Sequence, residues 1–365
     1  LSFTNRAVDE ICLNLKKHSI PFIRTGQSET IKQELLEHLI AEQDFDEIEK
    51  IIKSNRIWVA TVQSCNAWLN DMLNIVKIDE LVIDEASQII ENNILGIITK
   101  VGKTILIGDQ NQLPPITLQT KETFKFQNQQ LKSLCYDYYN KSMMERLFQV
   151  CETRGWNHSI TMLNEHYRMH NQIASLVQEY YADALIPKLP LQLQDLVPQG
   201  NILVDSRLVW IEFPVSEHLY YDSLQVQYII QILKVFKQYG IVQNYDKDVG
   251  IVTPFRAMIQ AIYKELPTDL KAITIDTVER FQGSERKNII ISLPLHHAND
   301  LSLTEALSSD GKVDRKLNVA ITRAQERLII LGCSKLCQKS RHYNNLLHKI
   351  QSSGTMLNYQ ELFKL

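Results

Sequence analysis

Nowhere does this sequence hold the roughly 18 consecutive apolar residues that a membrane-spanning helix needs. Nor do its first residues follow the basic, apolar and small-residue succession of a secretory signal. These absences predict a reduced intracellular setting, cytoplasm or nucleus/nucleoid, with no membrane partner. A basic excess is missing too: the net charge is -3, so the chain as a whole is not built to bind through general attraction to phosphates. The six cysteines (Cys12, Cys65, Cys135, Cys151, Cys333 and Cys337) form no ligand-spaced set. Cys333 and Cys337 are the only close pair and have no matching pair elsewhere, which argues against a zinc site or a disulfide framework. Methionine is absent from position 1; Leu1 opens directly in the pattern of a strand end, and we read the sequence as part of something longer.

What is present is a chain of 365 residues, 44% hydrophobic and 22% charged, enough for two domains of about 150 residues each. Short apolar runs bounded by Gly, Asp or Pro alternate with segments of helical period, the signature of an α/β fold with parallel sheets wrapped by helices. Strands are expected at 57–62, 80–83, 103–107, 248–252, 272–278, 288–293 and 327–331. A helix over 222–239 would present Val226, Ile229, Ile230, Leu233 and Phe236 on one face, and a shorter one would cover 7–15. Residues of about 27–56 read as an inserted helical arm and 117–142 as a polar loop insertion. Gly155, Asn157 and Ser159 interrupt the pattern, which predicts a first domain at 1–157 and a second at 158–365.

The run Leu81-Val82-Ile83-Asp84-Glu85-Ala86-Ser87-Gln88 is an apolar strand ending in two acids. At a strand's carboxyl end one carboxylate can hold Mg²⁺ while its neighbour deprotonates an attacking water. Taken alone, such a pair reads more readily as a strand running into a solvated acidic turn. The next strand ends Gly108-Asp109-Gln110-Asn111-Gln112-Leu113-Pro114-Pro115, placing another acid, Asp109, and an amide, Gln112, at the same sheet edge. That amide can contact both a γ-phosphate and the attacking water. Arg168 in Glu165-His166-Tyr167-Arg168-Met169 and Arg323 in Leu317-Asn318-Val319-Ala320-Ile321-Thr322-Arg323-Ala324 stand out by context, the latter on an expected short amphipathic helix. A guanidinium stays charged and can fork two phosphate oxygens. Arg256, after Pro254 and Phe255, is a third candidate with an equally good structural reading. In Thr277-Val278-Glu279-Arg280-Phe281-Gln282-Gly283-Ser284-Glu285, Gly283 would permit close approach to a phosphate, Glu285 could accept a ribose hydroxyl, and Thr277 could donate to a nucleic-acid phosphate.

In this order the segments resemble the motifs of superfamily-one helicases, in the branch that contains the nonsense-mediated-decay RNA helicase and the nuclease-helicase that trims Okazaki flaps. Asp84 to Gln88 resembles motif II, Gly108 to Pro115 motif III, Tyr167-Arg168-Met169 part of motif IV, Phe281 to Glu285 motif V, and Leu317 to Ala324 motif VI. Phe3 to Asp9 resembles motif Ia, and Val59-Ala60-Thr61 a further first-domain motif. The resemblance implies two RecA-like parallel-sheet domains of the P-loop NTPase fold with ATP between them. Asp84 would hold Mg²⁺, Glu85 activate water and Gln112 sense the γ-phosphate, with Arg168 and Arg323 as arginine fingers. Gly283 would approach the γ-phosphate, Glu285 bind ribose, and Asp109 lie at the nucleotide. Thr4, Asn5, Thr61, Thr253, Pro254 and Thr277 would contact a single strand of DNA or RNA, tracked 5′ to 3′.

Three positions depart from the family pattern: Glu279 stands where an Asp is usual, Lys287 where an acid is usual, and Met258 where a Gln is common. No Gly-rich loop ending in Lys and Ser/Thr occurs in the sequence, so the first domain is expected to be incomplete at its N-terminus and this stretch alone to hydrolyse ATP poorly. The expected function is an ATP-dependent helicase or translocase. A helicase-derived binding or regulatory module without ATPase activity is the alternative, and fused or partner domains, a nuclease among them, are a third possibility. The adjacent His296 and His297 read as solvated rather than as metal ligands.

Overall fold

The computed structural model describes residues 1–28, 30–116, 128–136 and 141–362. They form two compact units, residues 1–110 with 114–161, and residues 111–113 with 162–365. Of the loop expected at 117–142, residues 117–127 and 137–140 lie outside the described residues, and the described part holds the short helix Gln129–Ser133.

In the first unit, β1 (Ile23–Arg24) pairs with β2 (Trp58–Val59), and β3 (Glu80–Ile83) with β4 (Lys103–Leu106), both in parallel. The start of the chain joins the two pairs: Ser2 bridges Thr61 in parallel, and the Leu1 carbonyl accepts from the Asp84 N–H at 2.8 Å. The carboxyl ends of β2, of Leu1-Ser2, of β3 and of β4 therefore share one edge. Ala60, Leu69, Ile83, Ile94 and Ile97 fill the core under this sheet. A smaller core forms where Val8 and Cys12 of the helix Asn5–Lys17 meet Phe22, Ile31 and Val59. Burial pushes the Cys12 and Cys65 thiols up to about 11, so neither is a thiolate at neutral pH. The segment read as a helical arm holds β2's upstream helices, Leu36–Leu39 and Phe45–Ser54, the second capped by Asp44 accepting from the Glu47 N–H at 2.9 Å.

In the second unit, the small parallel pair β5 (Glu165–His166) and β6 (Ile186–Pro187) precedes a six-stranded sheet. Its strands are β7 (Leu208–Glu212), β8 (Val249–Val252), β9 (Thr274–Asp276), β10 (Arg286–Ser292), β11 (Ala324–Gly332) and β12 (Thr355–Asn358). All neighbours are parallel, in the order β12-β7-β11-β10-β8-β9. Parallel strands are covered on both faces, which is why Ile289-Ile290-Ile291 and Leu328-Ile329-Ile330-Leu331 are apolar without alternation and buried throughout. The helix expected at 222–239 spans Ser223–Gln238, with Asp222 accepting from the Leu224 and Gln225 N–H groups at 2.9 and 3.2 Å. All five of its expected core residues are buried.

One expectation is corrected. The helix Arg315–Ile321 is not amphipathic: Arg315, Leu317, Asn318, Val319, Ala320 and Ile321 are all buried, and the fully buried Asp314 caps it. Burial raises the Asp314 carboxyl above its ordinary range, against the pull of the N–H groups of Ala306 and Leu317. Among the described residues no helix is long and apolar enough to cross a membrane.

Candidate active site

β3 delivers Asp84 and Glu85 at its carboxyl end, both half-buried. Glu85 adopts a left-handed backbone, φ 55°, which costs a residue with a Cβ about 1 kcal/mol and turns the chain sharply into the short helix Ala86–Gln88. Gln88 Nε2 donates to Glu85 Oε2 at 2.8 Å and so fixes the carboxylate's direction. The neighbouring strand end closes against this turn, with Ala86 N–H donating to Ile107 C=O at 2.8 Å. A Cβ on Gly108 would lie 3.0 Å from the Ser87 nitrogen, 3.1 Å from the Ala86 nitrogen and 2.8 Å from Met144 Sδ, so only glycine lets Asp109 follow so closely. Backbone cannot yield as a flexible side chain can. Gly108→Ala should therefore shift the acid-bearing turn at a cost of about 1 to 3 kcal/mol and lower the unfolding midpoint by several degrees; an unchanged midpoint would show that the close approach is not needed.

Of the residues assigned to nucleic acid in this unit, Thr4 caps the helix Asn5–Lys17 by accepting from the Ala7 N–H at 3.2 Å, and Thr61 caps Val62–Leu73 by accepting from the Ser64 N–H at 3.1 Å. Asn5 Oδ1 accepts from Arg24 at 2.9 Å. Arg24 is fully buried, also meeting Asp9 at 3.3 Å and the carbonyls of Thr25 and Gln27, so it ties the helix start to the loop after β1. Thr4 and Asn5 are exposed, whereas Thr61 is buried.

The second unit sorts its assigned residues to opposite ends of one sheet. Gly283 and Glu285 lie just before β10, and Arg323 just before β11, at the amino ends of the strands. Arg168 Nε pairs with Glu285 Oε2, Gln325 Nε2 donates to Glu285 Oε1 at 2.7 Å, and His170 N–H donates to Gln325 C=O at 2.8 Å. Gly283 has φ 75° and open space where a Cβ would stand. Arg323 is only 1% exposed. Its guanidinium donates to Val319 C=O at 3.0 Å, Ser284 C=O at 3.2 Å and the Thr322 hydroxyl at 3.0 Å, which ties the helix Arg315–Ile321 to the Gly283-Ser284 turn. Gln325 was not singled out in the sequence; its position two residues past Arg323 was the only signal.

Thr253, Pro254 and Thr277 gather at the carboxyl ends of β8 and β9, where Thr253 N–H donates to Asp276 C=O at 3.2 Å. Thr253 is fully buried and its hydroxyl meets no partner among the described residues. Thr277 precedes the short helix Val278–Phe281, and its backbone N–H donates to Asp276 Oδ1 at 2.8 Å. The departures from the family pattern find local partners: Glu279 pairs with Lys316 at 3.1 Å, Lys287 pairs with Asp248 at 2.9 Å, and Met258 is buried in the core. Burial works to raise the Glu279 carboxyl, but the Lys316 charge and hydrogen bonds outweigh it and hold it below its ordinary value. Arg256 is exposed at the start of Arg256–Glu265. His296 is not simply solvated: its Nδ1 meets Ser216 C=O at 2.7 Å. Gln112 lies in the short 111–113 segment, flanked by Asn111, which donates to Tyr180 C=O at 2.7 Å and whose carbonyl accepts from Asn318 Nδ2 at 2.8 Å.

Among the described residues no three His, Cys, Asp or Glu side chains converge as a metal cage. Mg²⁺ keeps its waters and is held by one or two carboxylates together with substrate phosphates, and Asp84 would offer such an ion a hard oxygen. The buried Ser87 hydroxyl beside the acid turn, without a partner among the described residues, is a further oxygen at this place.

Two family models, both described as AAA domain, match residues 139–335 and 36–120. The chain is 27% identical over 371 residues to the DNA replication ATP-dependent helicase/nuclease DNA2 of Gallus gallus, covering 98% of this chain and 34% of that protein. It is 26% identical over 325 residues to the uncharacterized ATP-dependent helicase MJ0104 of Methanocaldococcus jannaschii, covering 83% of this chain and 43% of that protein. Against the solved structure of Arterivirus nonstructural protein 10 (helicase) the TM-score is 0.45 at 12% identity, covering 94% of this chain and 54% of that one. The chain spans about a third of the length of the first curated relatives it matches.

Proposed function

The chain belongs to the AAA-domain family of superfamily-one helicases, and on that premise we propose that the complete protein is an ATP-dependent helicase or translocase moving 5′ to 3′ on single-stranded nucleic acid. The observation that carries this reading is the acid turn: Asp84 and Glu85 at a strand's carboxyl end, with Glu85 held in a left-handed turn and oriented by Gln88. Asp84 binds Mg²⁺, which when present neutralises phosphate charge. Glu85 accepts the proton of the attacking water. Gln112 contacts the γ-phosphate, and Asp109 sits beside it. Arg168 and Arg323 donate to phosphate oxygens, Glu285 accepts a ribose hydroxyl, and Gly283 lets the backbone approach the γ-phosphate. Thr4, Asn5, Pro254 and Thr277 hold the strand by its backbone, a mode that tolerates any base sequence, while Thr61 and Thr253, buried behind them, shape the groove rather than touch the strand.

A second reading, a nucleic-acid-binding module without ATPase activity, is favoured by one observation: Arg323 is fully buried in internal bonds. ATP turnover by the complete protein, with single-stranded DNA, with single-stranded RNA and with neither, separates the two. Stimulation by one polymer names the track; binding without turnover supports the module. Because the net charge is -3, attraction must be local. We expect the logarithm of affinity to fall with the logarithm of salt at a slope of about -2 to -4, at about -0.7 per phosphate contact on single strands. A flat response would remove the phosphate-contact model.

A further inference from the structure

We infer that Gln192, outside every motif, is the positioning residue that sets the place of Arg168. The inference rests on the proposed role of Arg168 at the nucleotide. Gln192 is 4% exposed although its neighbours Leu191 and Leu193 are 69% and 60% exposed, so in this strap the chain turns its apolar side chains outward and one amide inward. Burying an amide is costly unless its hydrogen bonds are made, and here they are. Gln192 Nε2 donates to Met169 C=O at 2.9 Å and to His166 Nδ1 at 3.0 Å, while Oε1 accepts from the N–H groups of Lys188 at 2.8 Å and Leu189 at 2.6 Å. Two backbone donors on one side and a carbonyl on the other fix which way the amide points.

The two groups that receive its protons flank the dipeptide Tyr167-Arg168, one on each side. His166 must stay neutral to accept at Nδ1; burial and the charge of Arg168 both lower its affinity for a proton, which keeps it so. Beyond the clamp, Tyr167 is 59% exposed. The amide behind Arg168 and Glu285 in front orient it, on a backbone also held by the β5–β6 pairing of His166 and by the buried Met169. A guanidinium finger acts only when its fork meets the phosphate squarely, and a displacement of about 1 Å can cost on the order of 100-fold in rate.

The test uses the complete protein and steady-state ATP turnover at saturating nucleic acid. Gln192→Met, close in shape but without any of the four bonds, should lower kcat about 100-fold, with KM for ATP unchanged within about twofold. Should that variant not fold, Gln192→Glu keeps both accepted bonds and removes both donated ones, and the same loss is expected. In an Arg168→Lys background, where the fork is already gone, either substitution should cost less than about twofold more. Equal losses in both backgrounds, or a wild-type kcat in folded Gln192→Met and Gln192→Glu, would overturn the inference. If Arg168→Lys itself retained full activity, the proposed role of Arg168 would fall first, so the two failures are distinguishable.

Discussion

Glu85→Gln in the complete protein should lower kcat for ATP hydrolysis by about 10³-fold, within the range of about 10² to 10⁴ that a positioned general base contributes. The substitution is nearly isosteric and its amide oxygen can still accept from Gln88 Nε2, which holds the native side chain at 2.8 Å. The left-handed turn at φ 55° stays as it is, since Gln meets the same backbone restriction as Glu. Proton acceptance is lost; charge at Asp84, the phosphate contacts and the fold are kept. Binding of a fluorescent ATP analogue should remain within severalfold of wild type, and the unfolding midpoint should not fall. Turnover within tenfold of wild type would mean that another group takes the proton, and the role assigned to the acid turn would be withdrawn.

The second large effect is expected at Arg323, in rate and stability together. Removing an arginine finger costs about 10³ to 10⁵ in kcat. This guanidinium also satisfies Val319 C=O and Ser284 C=O in a place that water does not reach, and orphaning buried acceptors costs about 1 to 3 kcal/mol each. Arg323→Ala should therefore lose turnover and unfold about 5 to 10 °C earlier, at about 2 to 4 °C per kcal/mol for a unit of this size. Arg323→Lys separates the two contributions. It keeps the charge but loses the fork, so it should recover part of the stability and little of the rate. Should the lysine variant regain near-native turnover at matched stability, the residue would be structural. To reach a phosphate, Arg323 must release Ser284, and the mobile choice is the turn beside it, where Gly283 holds φ 75° in open space.

Some of this was legible in the sequence because physics left a local trace. An apolar run that stops at an acid marks a strand reaching a ligand-binding edge, and β3 was read at its observed bounds, Glu80–Ile83. The long helix of the second unit was plain because Asp222 caps it and its apolar residues recur at helical spacing. β7 was missed although Leu208-Val209-Trp210-Ile211 is apolar, because Arg207 and Glu212 bound it instead of turn residues. β12 carries no trace: among the described residues it pairs only with β7, and Thr355, Met356, Leu357 and Asn358 are exposed or half-buried in alternation. Burial of a charged side chain is set by tertiary contacts, so nothing local announced that Arg323 lies inside or that the helix before it is covered all round. For the same reason Gln192 looked like one more polar residue in a loop. The two groups it donates to lie 23 and 26 positions away, at Met169 and His166.

The ion pair between Arg168 and Glu285 sets a threshold. If both side chains are to face a nucleotide, they must first let go of each other. With the two about a third and two-fifths exposed, such a pair is worth at most about 1 kcal/mol. That toll weakens apparent nucleotide affinity by no more than about fivefold. It is a light latch rather than a lock, and its strength belongs partly to the surroundings, since dissolved ions loosen it before any ligand arrives.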